Sequence, residues 1–478
     1  MGDNVGLYEK LRMYSESGAV PMHVPGHKRN VGLLGAHLPY GIDITELPGF
    51  DNLHDMRGVL RSVAERAAAL YGSERAFPLV NGSTGGLLAA VRALTSRGDC
   101  VVMARNCHMS VYSAVEMNGL RPVVMAPRTD ARFGISCCVD PGEVDEAISK
   151  APGCALVIIT SPTYEGVVSD VRAISGITRS RGVPLLVDCA HGAHLGFSDF
   201  FPKSAIREGA DVVVTSLHKT LPALTQCALA LASGPLSRPG DIARELAVFQ
   251  TSSPSYVLLA SIDECLALLD TRRDELFGAL EGNLRHFDAR VAGLRSLRIV
   301  CRGGGLDSRS GFYGYDPGKI VVCTRGVGAS GAALAEALRS GHGIETEMSA
   351  SDYVVAVATV CDSRERFDAL ADALISIDRS PGVLRCGKTP SHPPSPPAPP
   401  PTGGLVPLAE AEGATALEHV WAYPPGTPII VSGEVISAAA LREISRLAAE
   451  GASLRTSSGS PAGFVAARRA NQAPATRL

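Results

Sequence analysis

The chain has 478 residues, with 45 Lys and Arg set against 48 Asp and Glu for a formal net charge of -3. Such a balance offers no basic footprint for nucleic acid. Hydrophobic content of 45% beside 19% charged residues is that of a globular chain, and its apolar runs fall short of the roughly 18 residues a membrane span needs.

At roughly 150 residues per domain the length suits about three structural units, and the expected partner is a small molecule. Residues 1–56 show no basic-then-apolar leader, and Gly6 stands where a myristoylation signal needs Ser or Thr. The 12 cysteines contain no CxxC pair and read as reduced thiols of a cytoplasmic protein. Residues 57–290 read as a large domain in which helical periods alternate with short apolar β-rich runs, the pattern of an α/β fold with a mostly parallel sheet flanked by helices. A helix is expected at Arg57–Tyr71, where Leu60, Val63, Ala64, Ala67 and Leu70 form one stripe. Strands are expected at Ala76–Val80, Cys100–Ala104, Arg121–Met125, Ala155–Thr160, Pro184–Asp188 and Asp211–Thr215.

A long helical stretch, Val257–Leu297, leads into a smaller α/β domain at 291–388 with strands near Arg298–Cys301, Lys319–Thr324 and Tyr353–Val360. Consecutive prolines mark 389–404 as a linker, since they hold the chain extended without ladder hydrogen bonds. A small α+β domain is expected at 405–454. The Ser, Ala, Gly and Arg-rich tail at 455–478 reads as disordered.

In open parallel sheets ligands bind beyond the carboxyl ends of the strands, so the residues after each expected strand carry the chemistry. After Ala76–Val80 comes Asn81-Gly82-Ser83-Thr84-Gly85-Gly86 and then a helical segment, Leu87–Leu94. Its glycines, amides and hydroxyls suit a phosphate cradle, although the same run also makes an ordinary helix cap. Arg105-Asn106-Cys107-His108, Asp188-Cys189-Ala190-His191-Gly192-Ala193-His194 and Ser216-Leu217-His218-Lys219-Thr220 follow three other strands. Of the seven lysines only Lys219 stands just past an apolar strand, where lost solvation favours the neutral amine that attacks a carbonyl. With Asp188 to hold a pyridinium nitrogen protonated, these residues supply the protein side of a pyridoxal phosphate site.

The sequence resembles the short-form pyridoxal-phosphate-dependent ornithine/lysine/arginine decarboxylase family, of the aspartate-aminotransferase-like fold. The matching runs, in family order, include His23-Val24-Pro25-Gly26-His27-Lys28, Asp43-Ile44-Thr45-Glu46-Leu47-Pro48-Gly49, the Asn81–Gly86 turn, Arg105–His108, Ser161-Pro162-Thr163-Tyr164, Asp188–His194, Ser216–Lys219, Thr251–Tyr256 and Tyr423-Pro424-Pro425-Gly426. The resemblance implies that Lys219 carries the cofactor in Schiff-base linkage, Asp188 pairs with the pyridine nitrogen and His108 stacks on the ring. It assigns Ser83, Thr84, Ser216 and His218 to the phosphate, and places His191 near the phenolic oxygen or the substrate carboxylate. The Thr251–Ser255 turn would reach a neighbouring subunit's phosphate in a homodimer or larger homo-oligomer.

Three positions depart from the family pattern. Cys189 replaces a Glu and Met109 a Lys, while Glu165 stands where a second Tyr is usual and bears on substrate selection. The receiver-like N-terminal wing of the large inducible relatives has no counterpart here, so acid-induced decamer assembly is not expected. The implied reaction is decarboxylation of a basic L-amino acid, arginine first and then lysine or ornithine, as in polyamine biosynthesis. Glu345, Glu347, Glu418 and Glu434 are the candidates for its distal cation. Competing readings are another reaction on the same cofactor, a ligand-binding paralogue without catalysis, and a metal-dependent hydrolase using Asp188, His191, His194 and His218.

Overall fold

The computed structural model describes residues 50–301, 311–385, 404–423, 426–449 and 452–469, together with Gly18, Val20–Met22, Lys28 and Leu33. The His23–His27 and Asp43–Gly49 motifs, residues 389–403 of the linker and Pro424–Pro425 lie outside the described residues. The chain divides into two compact units, Met1–Arg385 and Cys386–Leu478.

The first unit is built on a seven-stranded sheet: β1 (Arg75–Leu79), β2 (Cys100–Ala104), β3 (Arg121–Met125), β4 (Cys154–Thr160), β5 (Leu185–Asp188), β6 (Val212–Ser216) and β7 (Ala228–Ala232). Their spatial order is β1-β7-β6-β5-β4-β2-β3, with β7 antiparallel to both neighbours and the remaining adjacent pairs parallel. Helices on both faces explain why β2, β6 and β7 are buried along their whole length, as the Val- and Ala-rich runs require.

Local sequence sets the helix ends. Val59–Tyr71 buries its apolar stripe and stops at Gly72, whose left-handed backbone lets its N–H return to the Ala68 carbonyl. At the other end the Asp51 carboxylate accepts the amides of Gly58, at 2.6 Å, and Leu60, at 3.1 Å. One helix starts earlier than expected: Gly82–Leu94 takes in the glycine run, which sequence alone reads as a turn. Gly86 there lies so close to the sheet that a Cβ would meet Leu79 at 2.6 Å and Val214 at 2.9 Å.

A 36-residue helix, Tyr256–Val291, runs from the large sheet to a four-stranded antiparallel sheet of order Arg298–Ile299, Lys319–Cys323, Tyr353–Val357, Met348–Ser349. A separate two-stranded antiparallel pairing, Gly314–Tyr315 against Val167–Val168, links the segments that follow the two sheets. It brings the Asp316 amide to the Gly166 carbonyl at 2.8 Å.

The second unit holds two three-stranded sheets and the helix Ala438–Ala449 around Val406, Val420, Ile430, Ile436, Ile444 and Val465. The expectation of a disordered tail from residue 455 is corrected here. Ser453–Thr456 pairs with Val420–Tyr423, and Phe464–Arg468 pairs with Leu405–Pro407 and Thr415–Ala416, burying Val465 to Ala467. Non-local pairing outweighs a composition that by itself forms no core.

Candidate active site

The carboxyl ends of β2, β5 and β6 and the start of the helix after β1 converge on one region. β5 and β6 are adjacent and parallel, with Asp188 in register with Val214. The chain leaves β6 at Ser216 and turns at once into the four-residue helix Leu217–Thr220, which carries Lys219. The Ser216 hydroxyl donates to the Ser83 hydroxyl at 2.9 Å, joining the β6 end to the first turn of Gly82–Leu94. That turn carries free amides and the positive end of the helix dipole. Thr84, in the same turn, is exposed.

Asp188, the last residue of β5, is 2% exposed, and its Oδ1 accepts the Ala190 amide at 3.1 Å. Burial pushes its carboxyl upward, opposed first by the charge of Lys219. Lys219 is driven the other way: burial lowers its pKa, opposed by Asp188 and Glu347. His108 caps the helix Met109–Met117, its Nδ1 accepting the Ser110 amide at 3.1 Å. Burial, then Lys219, depresses it to about 4, so its ring is neutral at physiological pH. His218 directs Nδ1 to the Cys227 carbonyl at 3.0 Å, which fixes the orientation of its ring.

His191 lies between two lysines. Its Nε2 is 2.9 Å from Lys219 Nζ and its Nδ1 is 2.8 Å from Lys319 Nζ. Burial and then these two cations lower it well below the ordinary histidine range. Tyr164 packs on the ring with centroids 4.4 Å apart, and its hydroxyl donates to Glu347. His194, three residues on, turns away and meets Asp316 at 3.0 Å. Asp188, His191, His194 and His218 therefore do not converge on one point as a metal-dependent hydrolase would require, and among the described residues no His, Cys and acidic cluster does.

Of the four acidic candidates, Glu347 is the one whose field reaches Lys219. Glu345 accepts from Arg339 at 3.2 Å, and the Glu434 carboxylate accepts the Val431 amide at 3.3 Å. Glu418 is buried in the second unit, accepting the Ala466 amide at 2.6 Å and the Ser458 amide at 3.3 Å, which is a structural role. Glu165 accepts from the Tyr353 hydroxyl at 2.8 Å. Sequence reasoning passed over Lys319, although a lysine opening the wholly apolar strand Lys319–Cys323 was a visible signal.

A family model described as Orn/Lys/Arg decarboxylase, major domain, matches residues 5–278. Arginine decarboxylase of Bacillus subtilis is 30% identical over 454 residues, 90% of this chain and 91% of that one. The crystal structure of Francisella novicida lysine decarboxylase superposes with a TM-score of 0.73 at 17% identity, covering 93% of this chain and 78% of that chain. Alanine–glyoxylate aminotransferase from Nostoc shares the fold, with a TM-score of 0.57 at 14% identity over 75% of this chain and 95% of that one. Fold and matches define the class: an enzyme that works through pyridoxal phosphate on the aminotransferase-like sheet. Within that class, the chain belongs to the Orn/Lys/Arg decarboxylase family of amino acid carboxy-lyases.

The residues fit the cofactor. A buried carboxylate held by a backbone amide suits a ring N–H, the Ser83 and Ser216 hydroxyls at a helix start suit a phosphate, and a desolvated amine suits an aldehyde.

Proposed function

We propose that the protein decarboxylates a basic L-amino acid, arginine first and then lysine or ornithine, to the corresponding amine and carbon dioxide. The observation that carries this reading is Lys219, a buried amine at the end of β6, sharing one site with the buried carboxylate of Asp188. Pyridoxal phosphate, when bound, supplies the electron sink for the pair left behind as carbon dioxide departs.

Lys219 would hold the cofactor, Ser83, Thr84 and Ser216 its phosphate with His218 beside them, Asp188 its ring nitrogen and His108 its face. Burial lowers the Lys219 pKa and so eases formation of the neutral amine that reacts with a carbonyl. The Asp188 carboxylate would hold the ring nitrogen of a bound cofactor protonated, since its negative charge would favour a cation there. His108, neutral and tied to Ser110, presents a ring without adding charge. His191 stands with Nε2 toward Lys219, where it would orient the amine and the substrate carboxylate. Glu347, the acidic candidate at the site, would meet the substrate's distal cation, at a gain limited by desolvation of both charges.

Homodimer formation accords with Thr251, Ser252 and Ser253 being exposed on a turn available to a second copy. Free thiols at every cysteine among the described residues accord with a cytoplasmic setting.

The test supplies arginine, lysine and ornithine separately to protein loaded with pyridoxal phosphate and follows carbon dioxide and product by mass. Amine and carbon dioxide in equal amounts are expected. Keto acid with an aminated cofactor and no carbon dioxide would move the protein to the aminotransferase reading.

A further inference from the structure

Two tyrosine–glutamate pairs of opposite sense tie one turn to one hairpin. The chain leaving β4 closes tightly on itself. The Thr163 amide donates to the Val167 carbonyl at 2.8 Å and the Gly166 amide to the Thr163 carbonyl at 3.0 Å, which puts Tyr164, Glu165 and Gly166 at the tip. From that tip the Tyr164 hydroxyl donates to Glu347, while Glu165 accepts from the Tyr353 hydroxyl at 2.8 Å. Each side thus gives one donor and one acceptor.

Glu347 and Tyr353 stand at opposite ends of the hairpin. Met348 pairs with Val355 and Ser349 with Val354. The Glu347 amide donates to the Val355 carbonyl and the Ala350 amide to the Tyr353 carbonyl, both at 2.8 Å. A bond at Tyr164 alone would leave the hairpin able to pivot about it; the bond at Glu165 removes that freedom. Gly166 completes the seat: with a φ of +100°, a Cβ there would stand 2.7 Å from Lys319 Cγ, so glycine lets the tip press on the strand beside Tyr353–Val357.

The second pair is shut away from water. Glu165 and Tyr353 are both buried, and Tyr353 packs with Val167, Tyr315, Val321 and Val355. In such surroundings an unmade hydrogen bond is costly, so the pair holds. The same turn also faces the chemistry. The Ser161 amide donates to the Asp188 carbonyl at 3.0 Å, and the Tyr164 ring packs on His191 with centroids 4.4 Å apart. One tyrosine therefore spans from the reacting end of the site to Glu347.

We propose that Glu165 and Tyr353 are positioning residues that gauge substrate length: their hydrogen bond holds the hairpin so that Glu347 keeps one reach from Lys219, which a basic amino acid of matching length spans. The inference rests on the reading of Lys219 as the cofactor lysine and of Glu347 as the partner of the distal cation. Discrimination by one methylene is worth only about 10- to 200-fold, so a distal anchor that swings erases most of it.

The test uses protein loaded with pyridoxal phosphate and two variants. Tyr353→Phe keeps the ring in the core and removes the hydroxyl; Glu165→Met combined with Tyr353→Phe removes both groups and leaves no buried partner unpaired. Preference is measured as kcat/KM for arginine, lysine and ornithine, and as Kd for the three matching amines, which have no carboxyl to lose. In both variants the preference for the best ligand over the next should fall about tenfold, through KM and Kd, with kcat for the best substrate within about twofold of the parent. Glu347→Gln should weaken all three ligands. If it does, while the two variants lower the unfolding midpoint but keep the parent preference, the gauge is overturned and the Glu347 reading stands. Equal affinities in Glu347→Gln and the parent would overturn both. The amine measurements need no decarboxylation, so they test the gauge even if the reaction is a different one.

Discussion

Asp188 shows how much one side chain is asked to do. Its carboxylate is buried, and among the described residues the Ala190 amide is the hydrogen-bond donor it meets, so its charge is reserved for whatever sits before it. Replacing it with Asn keeps the shape and removes the charge. Asp188→Asn is expected to retain bound pyridoxal phosphate by absorbance while kcat falls by about 10²-fold or more; turnover at the parent rate would remove Asp188 from the ring nitrogen. This residue was legible because its type and its place at a strand end agree. Glu347 was legible only as one of four acids, since what separates it from Glu345, Glu418 and Glu434 is the contact with Tyr164, across 183 positions of chain. Lys319 was read only as the opening residue of an apolar strand. Its approach to His191 depends on the pairing of Gly314–Tyr315 with Val167–Val168, which no local pattern encodes.

At the scale of elements, the helix Gly82–Leu94 and the sheet beneath it meet through Gly86. An alanine there must push the helix away from Leu79 and Val214, at a cost of about 1–3 kcal/mol, and would carry Ser83 away from Ser216 with it. Gly86→Ala should therefore lower the unfolding midpoint and weaken cofactor affinity together, read by urea titration and by absorbance titration with pyridoxal phosphate. A loss of stability with unchanged affinity would show that the phosphate is held elsewhere. The strands of this sheet were legible within a residue or two, since fully buried parallel strands are continuous apolar runs. β7 was not. Its Ala228-Leu229-Ala230-Leu231-Ala232 run has weak strand preference, and it is a strand because β1 and β6 flank it on both sides. The same reason hid Phe464–Arg468.

For the molecule as a whole, stability should depend on pH through its buried bases. His108 falls from an ordinary 6.5 to about 4, burial being the main cause, and His191 is shifted in the same direction. The folded state thus favours neutral rings while the unfolded chain takes up protons, so stability rises with pH between about 4 and 6.5 and is lost on acidification. Urea midpoints measured across that range should fall toward acid, and the fall should be shallower in His108→Gln. Equal slopes in the two proteins would mean that the ring is not held neutral by the fold.

The helix Tyr256–Val291 has a further consequence, which is one of phase. At 1.5 Å per residue its 36 residues make a shaft of about 54 Å. Tyr256 and Leu259 root it beside Leu53, Leu60 and Val80, while Asn283, His286 and Arg290 grip Asp362, Asp368 and Asp372 at the far end. Such a shaft transmits rotation as well as distance. One extra alanine in its exposed middle, between Asp270 and Asp274, would turn the far end by about 100°, swinging Lys319 out of step with His191 although no site residue had changed. Activity should drop by about 10²-fold or more, with helix content by circular dichroism preserved. Seven added residues come round to nearly the same angle but displace the far end along the axis, so rotation and reach can be told apart by whether cofactor uptake returns.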